Sequence, residues 1–109
     1  MESAVEKQKE ICQKYNADCL LPKPKTKVGI ALDTLGKEPL NALRHPPEAD
    51  TCGWYIWGGE ELLLTPDFFQ PLHVEHLIER CPAIVPYLGL APGWRVLLAG
   101  DYADIWYDD

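Results

Sequence analysis

Trp94-Arg95-Val96-Leu97-Leu98-Ala99-Gly100-Asp101-Tyr102-Ala103-Asp104-Ile105-Trp106-Tyr107 reads as a β-hairpin. Residues 94–99 form one strand, Gly100-Asp101 is a tight-turn dipeptide, and residues 103–107 are the returning strand. Side chains alternate along a strand. Asp104, Trp106 and Asp108 therefore share one face, and Ala103, Ile105 and Tyr107 share the other. The second set suits a core. The first presents a large aromatic flanked by two carboxylates. Just upstream, Ala91-Pro92-Gly93-Trp94 carries Pro-Gly at the central positions of a type II turn.

Working back from the hairpin, Pro71 is expected to open a helix running to about Arg80, with Leu72, Leu77 and Ile78 on its apolar side. Cys81-Pro82 interrupts it, and one or two further turns end at Gly89. Thr65-Pro66-Asp67 has the form of an N-cap with Pro at the first helical position. Cys52-Gly53-Trp54-Tyr55-Ile56-Trp57 is a strand dense in aromatics, closed by Gly58-Gly59. Residues 27–32 read as another strand, with Val28, Ile30 and Leu32 on one face. A turn at 33–36 follows, and Pro46-Pro47 opens a loop to residue 50. Leu21-Pro22-Lys23-Pro24-Lys25 is a stiff extended connector, because each Pro disfavours helix in the residue before it. Residues 3–15 form an amphipathic helix ending near Asn16, with Ser3 and Glu6 at capping-box spacing. Val5, Cys12 and Tyr15, with Ala4 and Ile11 beside them, are its apolar side. These elements predict an α+β domain, a small antiparallel sheet with helices packed on it. Residues 1–27 stand as a helix and connector before a domain at 28–109.

The chain has 109 residues, the length of one domain, and a formal charge of −7. Residues 1–50 hold 8 basic and 8 acidic side chains. Residues 51–109 hold 2 basic (Arg80, Arg95) and 9 acidic, so the whole excess lies there. Nucleic-acid and anionic-membrane binding need a basic footprint and are not expected. A hydrophobic fraction of 47% excludes a disordered chain. No apolar run approaches the ~20 residues of a membrane span, and the charged N-terminus is unlike a secretory signal. The expected compartment is the cytoplasm.

Cys12, Cys19, Cys52 and Cys81 include no Cys-x-x-Cys pair and read as free thiols. His73 and His76, three apart on the expected helix, could join Cys52 and Cys81 in a zinc site. That is the alternative functional reading, as a small metal protein or enzyme. A Cys–His nucleophile pair needs an activated thiol, and nothing local marks one. No phosphate-binding glycine loop or hydrolase motif is present. No cofactor is expected. Arg95, set among acids, is expected to pair with one of them.

An ordered series of segments carries a resemblance. It comprises Cys52-Gly53-Trp54-Tyr55-Ile56-Trp57, Asp67-Phe68-Phe69, Pro71-Leu72-His73 with His76-Leu77, Pro92-Gly93-Trp94-Arg95, and Tyr102 with Asp104-Ile105-Trp106-Tyr107-Asp108. Together they resemble the bacterial immunity protein thirty-three-like family over residues 28–109. The resemblance implies a small cytoplasmic antitoxin of a polymorphic toxin system, one that binds and blocks a cognate toxin. Trp54, Phe69, Leu72, Leu77 and Trp94 are then expected in the core. The toxin expected from the charge is a nuclease, whose cleft is basic because its substrate is a polyanion. The contact candidates are Trp57, Glu60, Glu61, Asp101, Asp104, Trp106, Asp108 and Asp109. Aromatic side chains anchor and acids steer. A regulatory adaptor domain is the third reading.

Overall fold

The structure is a computed structural model that describes residues 4–23, 25–48, 50–59 and 69–107. Helix α1 spans Ala4–Lys14, strand β1 Lys27–Ile30, β2 Leu40–Arg44, β3 Thr51–Gly58 and β4 Gln70–His73. A short helix α2 at Leu77–Arg80 and the hairpin β5 (Trp94–Ala99) and β6 (Tyr102–Tyr107) complete the set. Three 3-10 helices, Leu32–Thr34, Val74–His76 and Pro82–Tyr87, join them. The six strands form one sheet in the order β4-β1-β3-β2-β5-β6. The α+β class is as expected. The sheet is mixed, however: β1 runs parallel to β3, while the other pairs are antiparallel.

Helix α1 ends as its sequence dictates. Asn16 adopts φ 55, and the Asn16 and Ala17 amides donate to Gln13 O (3.2 Å) and Cys12 O (2.8 Å). That is a Schellman closure, with Asn in the left-handed position. The buried stripe of α1 differs from the expected one. Gln8 and Cys12 are buried, Ile11 and Tyr15 half-buried, and Val5 is 43% exposed. A glutamine holds the inward position because its Nε2 donates to Val85 O at 2.9 Å, which satisfies the amide inside the contact with the 82–87 helix. Ser3, of the expected capping box, lies outside the described residues, as does the expected cap at Thr65-Pro66-Asp67.

The helix expected from Pro71 is corrected. Residues 70–73 are the edge strand β4, antiparallel to β1, and helix begins only at Val74. Proline fits both a first helical turn and an edge strand, which can spare its donor. Pairing decides between them. Leu72 sits opposite Val28 over the core, and the Val74 amide donates to Thr26 O at 2.9 Å. Strand β2, not among the expected elements, is bonded on both sides, to β3 and to β5. The expected strand 27–32 is shortened, since Leu32 already belongs to a 3-10 helix.

The hairpin is as expected. Two residues, Gly100 and Asp101, separate the paired Ala99 and Tyr102. Only Gly100 has positive φ (57), which marks a type II′ turn. At the Pro92-Gly93 turn the Trp94 amide donates to Ala91 O (3.2 Å), and Gly93 has φ 101.

The described helices pack on one face of the sheet. Val28, Ile30, Ala42, Trp54, Ile56 and Val96 meet Cys12, Leu77, Ile84 and Leu88 there, in one continuous core. Trp54 Nε1 donates to Leu88 O at 2.9 Å. Among these apolar groups lies Arg44, 3% exposed, its guanidinium 5.6 Å from the Trp54 ring centroid. Its Nε donates to Cys52 O (2.9 Å). Its Nη1 donates to Leu20 O (2.6 Å), Leu90 O (2.8 Å) and Leu88 O (3.2 Å). One side chain of β2 thus ties β3, the connector and the 88–90 turn together. The arginine buried in the core is therefore Arg44, and among the described residues carbonyl dipoles surround it in place of a carboxylate. Burial draws its pKa below the ordinary arginine value.

Candidate partner-binding surface

The second face of the sheet is different in kind. Alternation from the buried Trp54 and Ile56 turns Tyr55 and Trp57 to this side. Here Ala31, Leu43 and Trp57 pack with Tyr55 and Phe69. Ring contacts run in series, His45 to Tyr55 (5.5 Å), Tyr55 to Phe69 (5.2 Å) and Phe69 to Trp57 (6.2 Å). All three are edge-to-face, the favoured geometry for aromatic quadrupoles. Gly29 makes the room. A Cβ there would lie 2.7 Å from the Tyr55 ring. A cleft of about 320 Å³ opens beside it, lined by Gly29, Gly53, Tyr55, Phe69, Gln70 and Pro71 among others. At its border Lys27 Nζ lies 3.1 Å from Asp50 Oδ2, and this hydrogen bond holds the Asp50 pKa below the usual carboxylate range.

The register carries this face across to the hairpin. Tyr55 pairs with Leu43, Leu43 with Arg95, and Arg95 with Trp106. The next row holds Trp57, Asn41, Leu97 and Asp104. Trp57 and Asp104 are three strands apart, roughly 14 Å at the usual strand spacing. Trp106 is 37% exposed, and Asp101 and Asp104 are exposed. On the opposite side of β6, Ile105 packs on the core, and Tyr107 lies against Trp94 at 5.8 Å. Of the three residues expected on the core, Ile105 alone packs there; Ala103 is exposed, and Tyr107, at the sheet margin, is 54% exposed.

The family model of the Imm33-like domain matches residues 7–108. The chain belongs to the Imm33-like domain family. The match starts inside α1, so the Imm33-like region takes in most of that helix as well as the sheet. No curated protein and no solved structure is found to match the chain. The family name is that of immunity proteins.

The contact candidates of this Imm33-like chain are placed as follows. Asp104 and Trp106 lie two residues apart on β6, and Asp101 sits in the turn before it. Trp57 shares the face but is only 9% exposed, under the aromatic series. Glu60, Glu61, Asp108 and Asp109 lie outside the described residues. Of the expected core positions, Trp54 and Leu77 are buried, while Phe69, Leu72 and Trp94 are half-buried. Sequence reasoning missed Glu38, whose Oε1 accepts from the Gly100 amide at 3.2 Å, bringing an acid from the first half of the chain to the hairpin tip. It also missed His45 and Tyr55. Tyr55 was legible from alternation with Trp54, whereas Glu38 arrives through a contact 62 residues away in sequence.

The zinc candidates are not gathered. The His73 and His76 rings lie 6.1 Å apart, but His73 ends β4 and His76 ends a 3-10 helix. Among the described residues no group of three or more His, Cys, Asp or Glu could hold a metal ion. Burial raises the Cys81 pKa, and burial followed by the Cys19 hydrogen bond pushes Cys12 up to about 12. Both thiols stay protonated at neutral pH, the opposite of an activated nucleophile. Among the described residues no helix is long and apolar enough to cross a membrane.

Proposed function

We propose that this chain is a non-enzymatic antitoxin that acts in the cytoplasm of the producing cell. It neutralises a cognate toxin by covering the toxin's functional cleft in a 1:1 complex. The observation that carries the reading is the family match over 7–108, joined to a hairpin that carries exposed Trp106 and Asp104 two residues apart on β6, with exposed Asp101 in its turn. A solvent-facing Trp beside carboxylates has the form of an anchor with steering charge. Trp57, Glu60, Glu61, Asp108 and Asp109 extend the same surface in the proposal. The toxin it fits is a nuclease with a basic cleft, for which an acidic surface competes with the polyanionic substrate.

The test has two stages. The chain is first used as bait in a producing strain that expresses its toxin, and what co-purifies is identified. Absence of a toxin there overturns the antitoxin reading. The complex is then compared with the variants Asp101→Lys/Asp104→Lys and Trp106→Ala. The charge reversal is expected to slow association about ten-fold and flatten its salt dependence. Trp106→Ala is expected to speed dissociation by about ten-fold or more, the range of an interface anchor. Unchanged rates for both variants would place the interface elsewhere.

A further inference from the structure

Arg44 holds a feature that packing alone does not require. Its Nε and Nη1 are bonded to four carbonyls, but Nη2 donates to no described residue. Among the described residues no fully buried side-chain nitrogen or oxygen lacks a partner. Nη2 therefore keeps an open side, although the residue as a whole is 97% enclosed. Arg44 also lines a cavity of about 270 Å³ beneath the connector. Leu20, Leu21, Pro22 and Pro47 form apolar walls, and the exposed Lys23 adds a second positive charge. No acidic residue lines the cavity among the described residues. The lining threonines, Thr26 and Thr51, give their hydroxyl protons to Lys23 O and Glu48 O.

We propose that this cavity is a receptor for a carboxylate borne on a short apolar body, with Arg44 Nη2 as the charged donor. A guanidinium held by backbone carbonyls is pre-oriented, so little rotamer freedom is left to lose on binding. Its charge has no carboxylate partner among the described residues, and a buried cation gains most from an anion that completes its hydrogen bonds. The apolar walls select a ligand with a hydrocarbon portion over a bare inorganic anion. A free small acid and the C-terminal carboxylate of a polypeptide share this chemistry. The proposal does not depend on the antitoxin reading.

The test is an amide chemical-shift titration of the full chain with four probes. These are hexanoate, hexanamide, N-acetyl-alanyl-leucine and its C-terminal amide. Both acids are expected to give saturable shifts at Leu20, Leu21, Thr51 and Cys52. The neutral amides are expected to bind about ten-fold more weakly, the share of a charge-assisted hydrogen bond. Tighter binding of the peptide acid assigns a polypeptide terminus, and tighter binding of hexanoate assigns a small acid. Lys23→Glu, an exposed change, is expected to weaken either acid several-fold. Arg44→Lys is expected to weaken it further. Should that core variant fail to fold, the acid–amide comparison and Lys23→Glu decide. Equal binding of acid and amide, no saturable binding, or shifts confined to other regions would overturn the proposal.

Discussion

Replacing Arg44 with methionine tests how much of this fold hangs on one side chain. The variant keeps an unbranched apolar stem over Trp54 but removes all four donated hydrogen bonds. Leu88 O retains the Trp54 Nε1 donor, so up to three carbonyls, those of Leu20, Cys52 and Leu90, lose a buried partner. Each unsatisfied buried group costs about 1–3 kcal/mol, a gross loss of roughly 3–9 kcal/mol. Against this, the folded state no longer desolvates a guanidinium, which returns several kcal/mol. The expected net loss is about 3 kcal/mol, a large part of the roughly 5–15 kcal/mol of an ordinary domain. Urea unfolding followed by tryptophan fluorescence measures it. With a slope of about 1–3 kcal/mol per M, the midpoint is expected to fall by about 1–3 M. Arg44→Lys, which keeps the charge but not the planar fork, should fall between the two. A loss for Arg44→Met below about 1 kcal/mol, at unchanged slope, would refute the reasoning, since the carbonyls would then be satisfied without the arginine.

Other expectations can be checked on the same preparation. Cys12, Cys52 and Cys81 are buried and Cys19 is exposed, so a maleimide at pH 7 should label one thiol per native chain and four in urea. The raised pKa values of Cys12 and Cys81 mean that the folded state holds protons the unfolded chain releases. Their contribution is fully present below the unfolded thiol pKa, near 8.5. Stability is therefore expected to fall as pH rises from about 9 towards 12, and Cys12→Ala should flatten that alkaline limb in pH-dependent unfolding. Gly93→Ala puts a Cβ 2.5 Å from the Tyr107 ring at φ 101. It should cost about 1–3 kcal/mol, and less when Tyr107 is already alanine.

The hairpin was legible because three signals agreed there: Pro-Gly at one end, Gly-Asp at the turn, and period-two alternation between them. Helix α1 was legible in extent but not in facing. Gln8 outranks Val5 for the inward position because Val85 O waits for its amide, a contact 77 residues away. Strand β2 escaped for a related reason. Leu40-Asn41-Ala42-Leu43-Arg44 does not alternate apolar with polar, because its middle is buried from both faces and its arginine points into the core. At Pro71 the local signal was ambiguous, and only pairing with β1 resolved it. In the candidate surface, Asp104 and Trp106 followed from alternation. The depth of Trp57 depended on Phe69, which no local rule could supply.

The two ends of the sheet are not equivalent. Strand β4 carries Pro71, which removes a backbone donor from one margin, whereas β6 has no proline from Tyr102 to Tyr107. The β4 margin is thus the poorer template for an added strand. If a second copy joined through β6, each molecule would then present only its proline-marked margin outward, and growth beyond two would be disfavoured. A chain with an open aromatic strand in this way resists becoming the seed of a fibre, because it is extended more readily once than repeatedly.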